Sequence, residues 1–264
     1  MSMSEAVEHY ERLLGRHYTW MLGDFAEAVS AQRELLEKLL VRNLPGGARH
    51  NPGIALDLGC GSGVQSIALA ELGYNPVIGI DTSLLLLAEL TERAAGLPAI
   101  MPVQADITSG LRDLVAAGSA GVVVCMGDTL PHLPTSADVR KLFEQSFDLL
   151  APGGVLVLSF RDLTAPPEGL SRFIPVRSDD EKIMTCFLED EGDAVRIHDL
   201  IHTRDANGAW CLGKSSYRKL KLAPAEVVGQ LQEIGFTPVA AGSAPRGMVV
   251  VTATRPGRDR AGTG

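Results

Sequence analysis

The sequence predicts a doubly wound α/β fold, a mostly parallel sheet with helices on both faces, and three observations carry that prediction. Short apolar runs at 54–58, 77–80, 99–103, 121–126 and 155–160 alternate with stretches of helical periodicity, the order expected of strands joined by crossover helices. The first run opens directly into a glycine loop, Gly59-Cys60-Gly61-Ser62-Gly63, and then into a helix carrying Val64, Ile67, Ala68 and Leu72. An acidic residue, Asp81, closes the second run. Five parallel strands with right-handed crossovers follow from this pattern.

Before the first strand, Phe25, Val29, Leu36, Leu39 and Leu40 recur at helical spacing, so 25–40 is an amphipathic helix that Pro45-Gly46-Gly47 ends. Helices are expected at 83–95 and 137–150, and Pro152-Gly153-Gly154 introduces the fifth strand. After Arg161 the pattern changes. Segments 182–188, 194–203 and 210–222 read as strands, separated by Asp190-Glu191-Gly192-Asp193 and by Ala206-Asn207-Gly208, and Asn-Gly is a strong hairpin signal. They form a three-stranded antiparallel insertion over about 170–222, because a helix at 224–234 and strands near 237 and at 248–254 resume the main domain. The expected division is an N-terminal helical cap over 1–45, a main domain over 46–254 and a disordered tail over 255–264.

A chain of 264 residues, 45% hydrophobic, supplies a sizeable core. Lys+Arg 24 against Asp+Glu 32 leaves a net charge of −8, which disfavours nucleic acid and anionic membranes as partners. No run approaches the roughly 18 apolar residues of a membrane span, and the start lacks the basic-then-apolar order of a signal peptide. The expected location is cytoplasmic. Four scattered cysteines, with no C-x-x-C pair and no zinc-like His spacing, point to reduced thiols and no metal. Cys125, inside Val122-Val123-Val124-Cys125-Met126, reads as a small buried hydrophobe.

Alternate glycines let the backbone turn sharply and approach a ligand with no Cβ in the way. Asp81, at the end of the second strand, can accept hydrogen bonds from a ribose diol. A dinucleotide fingerprint needs G-x-G-x-x-G or G-x-G-x-x-A, whereas Gly63 comes one residue early and gives G-x-G-x-G, which disfavours a nicotinamide dehydrogenase. Asp106, after the third strand, is either a partner for an adenine amino group or a helix N-cap. Asp57, beneath the loop, either accepts the loop's N–H groups or lies near a cofactor ammonium.

Leu56-Asp57-Leu58-Gly59-Cys60-Gly61-Ser62-Gly63, followed by Asp81, Asp106 and Pro152-Gly153-Gly154, resembles the ordered motifs of class I S-adenosylmethionine-dependent methyltransferases. The resemblance implies a Rossmann-like seven-stranded sheet with an antiparallel last strand. It implies S-adenosyl-L-methionine as cofactor and S-adenosyl-L-homocysteine as product. Gly59 and Gly61 would then border the methionine end, Asp81 with Thr82 the ribose, and Asp106 with Ile107 the adenine, with Gly63 also among the cofactor-binding residues. Met126 completes the expected donor lining.

Cys125-Met126-Gly127-Asp128-Thr129-Leu130-Pro131-His132-Leu133 is similar to the loop after the fourth strand in the glycine/sarcosine N-methyltransferase-like group. Val64-Gln65-Ser66-Ile67, the aromatic segment from Tyr18 through Trp20 to Asp24, and Leu156-Val157-Leu158-Ser159-Phe160-Arg161 resemble it too. Two positions depart: that group carries Asn where Asp128 stands, and its N-terminal arginine has no counterpart near Ala28. An Asp at 128 would repel a substrate carboxylate and favour a cationic amine, while Arg161 keeps the opposite preference. His132 orients the acceptor, takes its proton, or is structural. Tyr18 and Trp20 either close over the sulfonium donor or belong to a helix core. The run Asp179-Asp180-Glu181-Lys182 reads as a solvated turn.

The expected activity is methyl transfer to a small-molecule acceptor, an amine or amino acid, with Asp128, His132 and Arg161 as the acceptor-side residues. The competing readings are a small-molecule O-methyltransferase and a catalytically silent S-adenosylmethionine-binding regulatory protein. A homo-oligomer is compatible with each.

Overall fold

The structure, a computed structural model, describes residues 5–42 and 53–257. Helices α1 (Glu5–Arg12), α2 (Tyr18–Leu22) and α3 (Phe25–Arg42) precede the sheet. The main domain then runs β1 (Ile54–Leu58), α4 (Val64–Glu71), β2 (Val77–Asp81), α5 (Leu84–Arg93), β3 (Ile100–Gln104), α6 (Leu111–Leu114), β4 (Ala120–Cys125), α7 (Ser136–Leu149) and β5 (Leu150–Arg161). The insertion contributes β6 (Phe173–Ser178), β7 (Lys182–Asp190), β8 (Ala194–Arg204) and β9 (Trp210–Leu220), after which α8 (Pro224–Ile234), β10 (Val239–Ala244) and β11 (Met248–Thr254) complete the domain.

Seven strands lie in the order β10-β11-β5-β4-β1-β2-β3. β1 to β5 are parallel, and β11 runs antiparallel to both of its neighbours. The central strands are buried on both faces, which is why they read as unbroken apolar runs. Along β4, Val123 and Cys125 join α7 and α8 residues such as Phe143 and Leu231 in one core. The alternate residues Val122 and Val124 join Leu36 of α3 and Ile67 of α4 in the other. Cys125 is the buried hydrophobe its surroundings predict.

The antiparallel insertion has four strands, one more than the sequence predicts. The extra strand, β6, is an edge strand whose ladder shifts register between Pro175 and Arg177. Proline cannot donate to a ladder, so at an edge it hides the alternation that would betray a strand. Pro45-Gly46-Gly47 and residues 258–264 of the expected disordered tail lie outside the described residues. Arg255 is tied to the sheet instead, its N–H donating to Gly154 and its carbonyl accepting from Gly153 at 2.9 and 2.8 Å. Among the described residues no helix is long and apolar enough to cross a membrane.

Candidate active site

β1 and β2 pair in parallel with Leu58 opposite Ile80, so the glycine loop and Asp81 emerge side by side at the carboxyl end of the sheet. The loop is fastened there by its own backbone: the N–H groups of Gly59 and Cys60 both donate to the Ile80 carbonyl, at 2.8 and 3.0 Å. Asp81 accepts from the Gly61 N–H through Oδ2 and from the Ser83 N–H through Oδ1, both at 2.9 Å. A carboxylate offers about four lone-pair sites, so two remain for a diol. Burial pushes the Asp81 carboxyl up, opposed by the N–H bonds from Ser83 and Gly61.

Gly61 has φ +53°, and a Cβ built there would stand 3.1 Å from the Tyr18 ring, so Tyr18 roofs the loop and only glycine fits beneath it. Gly63 has a structural purpose besides the one expected. It is the left-handed N-cap residue of α4, and a Cβ there would meet Leu90 of α5 at 2.2 Å. Its missing side chain lets the α5 side chain pack against the loop.

Asp57 neither bonds the loop amides nor faces outward. It is 1% exposed and accepts from the Ser66 hydroxyl of α4 at 2.6 Å. Burial pushes its carboxyl up to about 7 from an ordinary 3.8, with the Ser66 bond opposing. A folded-state value above the unfolded one makes ionisation costly: the cost is absent below pH ~4, grows as pH rises toward 7 and is constant above it, reaching about 4 kcal/mol at most. Asp57→Asn, which keeps an oxygen for Ser66, is therefore expected to melt higher than wild type at pH 8 and at a similar temperature at pH 4. Thermal melts of donor-free protein at the two pH values check this, and an offset independent of pH would contradict it.

Asp81 lies opposite Gln104 across the β2–β3 ladder, which puts Asp106 two residues beyond the neighbouring strand end. Asp106 is exposed, and its Oδ1 accepts from the Thr108 N–H and hydroxyl at 2.8 Å each. It is no helix N-cap, since Gly110 holds that place for α6. Ile107 is buried behind it, and the Thr82 carbonyl accepts from the Gln104 amide at 3.2 Å, joining the two strand ends. The Met126 side chain is buried in the core shared with α3 and α4. What Met126 offers locally is its carbonyl, which accepts from the Thr129 hydroxyl at 2.9 Å.

On the acceptor side, Asp128 has φ +75°, the one non-glycine residue among those described with positive φ. Asp and Asn are the residues that tolerate that conformation best after glycine, which explains why one can stand for the other here. Its carboxylate does not await a cationic amine. It accepts from the Arg161 N–H at 2.9 Å, from the Arg161 guanidinium at 3.0 Å and from the Lys219 ammonium at 2.5 Å. Burial alone would raise the Asp128 carboxyl, but Lys219, with help from Arg161, holds it down at about 2. One carboxylate against two cations leaves the cluster at +1. The carboxylate expected to favour a cationic amine is thus already paired with two cations of the chain.

Lys219, on β9 and 7% exposed, is the residue that sequence reasoning missed. The available signal was alternation along β9, which sets Lys219 on the same face as the buried Tyr217. His132 stands edge-on to Tyr217 with ring centroids 5.2 Å apart, and its Nε2 is buried with no hydrogen-bond partner. Burial, reinforced by Lys219, pushes its imidazole down to about 3, so it is neutral at physiological pH.

Tyr18 and Trp20 part company. Tyr18 lies over Gly61, and burial together with Asp81 and Asp57 pushes its phenol up, so it stays un-ionised. Trp20 turns to the insertion, where its indole N–H donates to Asp179 at 2.5 Å and its ring faces Arg177 and Lys182, both 5.6 Å from the centroid. The acidic run at 179–181 is thus the β6–β7 turn, and it docks α2. Thr129 was also overlooked; its methyl would stand 2.3 Å from a Cβ at Gly59, so it packs on the loop directly.

Residues 55–154 match a family model described as a methyltransferase domain. Over 106 residues, 39% of each protein, the chain is 40% identical to the ubiquinone biosynthesis O-methyltransferase of Psychrobacter arcticus. It is 29% identical to the glycine/sarcosine N-methyltransferase of Parasynechococcus marenigrum over 167 residues, 62% of this chain and 56% of that one. The chain spans between 36% and 41% of the length of the first three curated relatives it matches. The crystal structure of an S-adenosylmethionine-dependent methyltransferase from Clostridium acetobutylicum superposes with TM-score 0.67 at 16% identity, covering 96% of this chain and 98% of that one. Residues 55–154 are a methyltransferase domain, and the fold built around them is that of the class I S-adenosylmethionine-dependent methyltransferases.

Proposed function

We propose that the chain transfers a methyl group from S-adenosylmethionine to a nitrogen of a small polar acceptor that also carries an anionic group, an amino acid or a related amine. The observation that carries this reading is the double pairing of Asp128 with Arg161 and Lys219. It occupies the carboxylate that could have bound an ammonium, and it orients a half-exposed guanidinium whose remaining N–H groups suit a carboxylate.

The donor half fits a sulfonium nucleoside. Asp81 keeps acceptor capacity for the ribose, Asp106 and Ile107 flank the adenine position, and Thr129 beside Gly59 and Tyr18 over Gly61 line the methionine end. Bound S-adenosylmethionine supplies a methyl already activated on sulfur, with no covalent enzyme intermediate. The residues of the chain need to align the acceptor nitrogen in line with that methyl and exclude water, and positioning of this kind supplies about 7–11 kcal/mol in well-oriented cases. Of the N-terminal helices, α1 lies against β9 and α2 brings Tyr18 over Gly61 on the donor side, while α3 packs with α4 against the sheet.

Nitrogen is favoured over oxygen because an unprotonated amine attacks the methyl with its own lone pair, whereas a hydroxyl must lose its proton as it attacks. Asp128, held at about 2, and His132, pushed to about 3, are both too weak to take a hydroxyl proton near neutrality. The test is incubation with labelled donor and a panel of amines, amino acids, carboxylates and phenols, with products identified by mass spectrometry. An N-methylated product is expected, and Arg161→Ala should raise KM tenfold or more for acceptors bearing a carboxylate while donor affinity holds. Exclusive O-methylation, or an Arg161→Ala variant with unchanged KM, would refute the reading; absence of all turnover would favour a silent binding protein.

A further inference from the structure

Among the described residues three buried histidine nitrogens have no hydrogen-bond partner, Nδ1 of His17 and, packed together in one cluster, Nδ1 of His9 and Nε2 of His132. Buried polar atoms are almost always satisfied, so an orphaned pair beside the acceptor half points to a group that comes and goes. Both rings pack against the same two tyrosines. His9 lies 4.4 Å from Tyr217 and 6.0 Å from Tyr10, and His132 lies 5.2 and 5.9 Å from them, centroid to centroid.

His9 comes from α1 and is held from behind: its Nε2 is 2.8 Å from Oδ2 of Asp199 on β8, with side-chain exposures of 0% and 1%. The other Asp199 oxygen accepts from the Cys186 thiol of β7 at 2.8 Å, which fixes the carboxylate. A carboxylate oxygen accepts from Nε2, so in the tautomer that this contact selects the ring proton sits on Nε2 and Nδ1 presents a bare lone pair. A bare ring nitrogen whose opposite N–H is held by a buried carboxylate is the arrangement of a general base. The other groups nearby cannot serve. Burial pushes the Tyr10 and Tyr217 phenols well up and keeps them un-ionised, and Asp128 and His132 are too weak.

We propose that the His9–Asp199 pair takes the proton shed by the acceptor nitrogen during methyl transfer, an inference that rests on the N-methylation reading. As the new N–CH3 bond forms and the CH3–S bond breaks, an N–H bond of the acceptor breaks and its proton passes to Nδ1 of His9. The resulting imidazolium has its charge against Asp199. His132, with its own unpartnered nitrogen beside the same tyrosines, marks the chamber side of the route. A cleft of about 260 Å³, lined by Glu5, Glu8, Arg12 and Ser215 as well as His9, marks the solvent side through which the proton leaves.

The test compares wild type, His9→Ala and His9→Gln with an amine acceptor found by the labelled-donor panel, alongside calorimetric donor binding and assays with added imidazole. Both variants are expected to lose tenfold or more in kcat with donor Kd within twofold of wild type. Imidazole, entering by the cleft, should restore turnover to His9→Ala alone. Glutamine can still donate an N–H to Asp199 and keep α1 docked, so a His9→Gln variant with wild-type kcat would show that His9 only fastens the helix and would overturn the inference. A slow His9→Ala variant indifferent to imidazole would overturn it as well. If His9→Ala fails to fold, His9→Gln alone decides: a tenfold loss at unchanged donor Kd supports the inference. A wild-type protein that methylates no amine overturns the N-methylation reading and this inference with it, whereas an active wild type with an unimpaired His9→Gln overturns the inference alone.

Discussion

Asp81→Ala is expected to weaken S-adenosylmethionine binding at least a hundredfold, as read by calorimetry, while the protein stays folded. Hydrogen bonds to a charged group are worth about 1.5–3 kcal/mol each, so loss of a bidentate grip on a ribose diol removes roughly 3 kcal/mol or more, and about 1.4 kcal/mol is tenfold. The variant also loses the acceptor for the N–H groups of Gly61 and Ser83. Those amides would turn to water or to the ligand, and the loop's fastening to Ile80 remains, which is why the fold survives. Asp81→Asn serves as a control that separates the two contributions. Its amide oxygen can still hold Gly61, but its NH2 meets the diol with the wrong polarity for one of the two bonds, so an intermediate loss is expected. Equal donor affinity in wild type and Asp81→Ala would mean that the ribose is held elsewhere.

The parallel strands and the glycine loop were legible because each leaves a local mark: continuous apolar runs where both faces are buried, and alternate glycines where the chain takes positive φ. What escaped depends on contacts distant in sequence. Lys219 reads as a solvent-facing residue until the fold brings it to Asp128, 91 positions away, and its burial is bearable only because that carboxylate is there. His9 and Asp199 are 190 positions apart and carry no motif. Tyr18 and Trp20 illustrate a different failure. Two residues apart on a helix they cannot share a face, so the position that points Tyr18 at Gly61 sends Trp20 to Asp179. Gly63 reads as part of the ligand loop, and its packing role stayed hidden: its positive φ serves the N-terminus of α4 and its bare Cα makes room for Leu90.

Asp128→Ala is expected to cost about 3–5 kcal/mol of stability, measured by urea unfolding, because it strands the Lys219 ammonium in a buried site. Half-exposed Arg161 can turn to water, whereas Lys219 cannot, so the penalty belongs mainly to Lys219. Replacing both partners, as in Asp128→Ala with Lys219→Met, should recover most of the loss, since an apolar side chain of similar length needs no counter-charge. Titration offers a second measure of the same cluster. With a folded value of about 2 against an ordinary 3.8, the carboxylate's contribution is fully present above pH ~4 and is lost as pH falls through about 2. That difference corresponds to about 2 kcal/mol, less than the deletion cost, because a protonated Asp128 still accepts hydrogen bonds whereas alanine accepts none. The functional consequence separates the variants further. The double variant should fold near wild-type stability yet bind a carboxylate-bearing acceptor poorly, since Arg161 would keep its charge and lose the partner that aims it. If the single and double variants prove equally stable, Lys219 is solvated without Asp128, and the cluster would be a surface ion pair with no part in shaping the acceptor crevice.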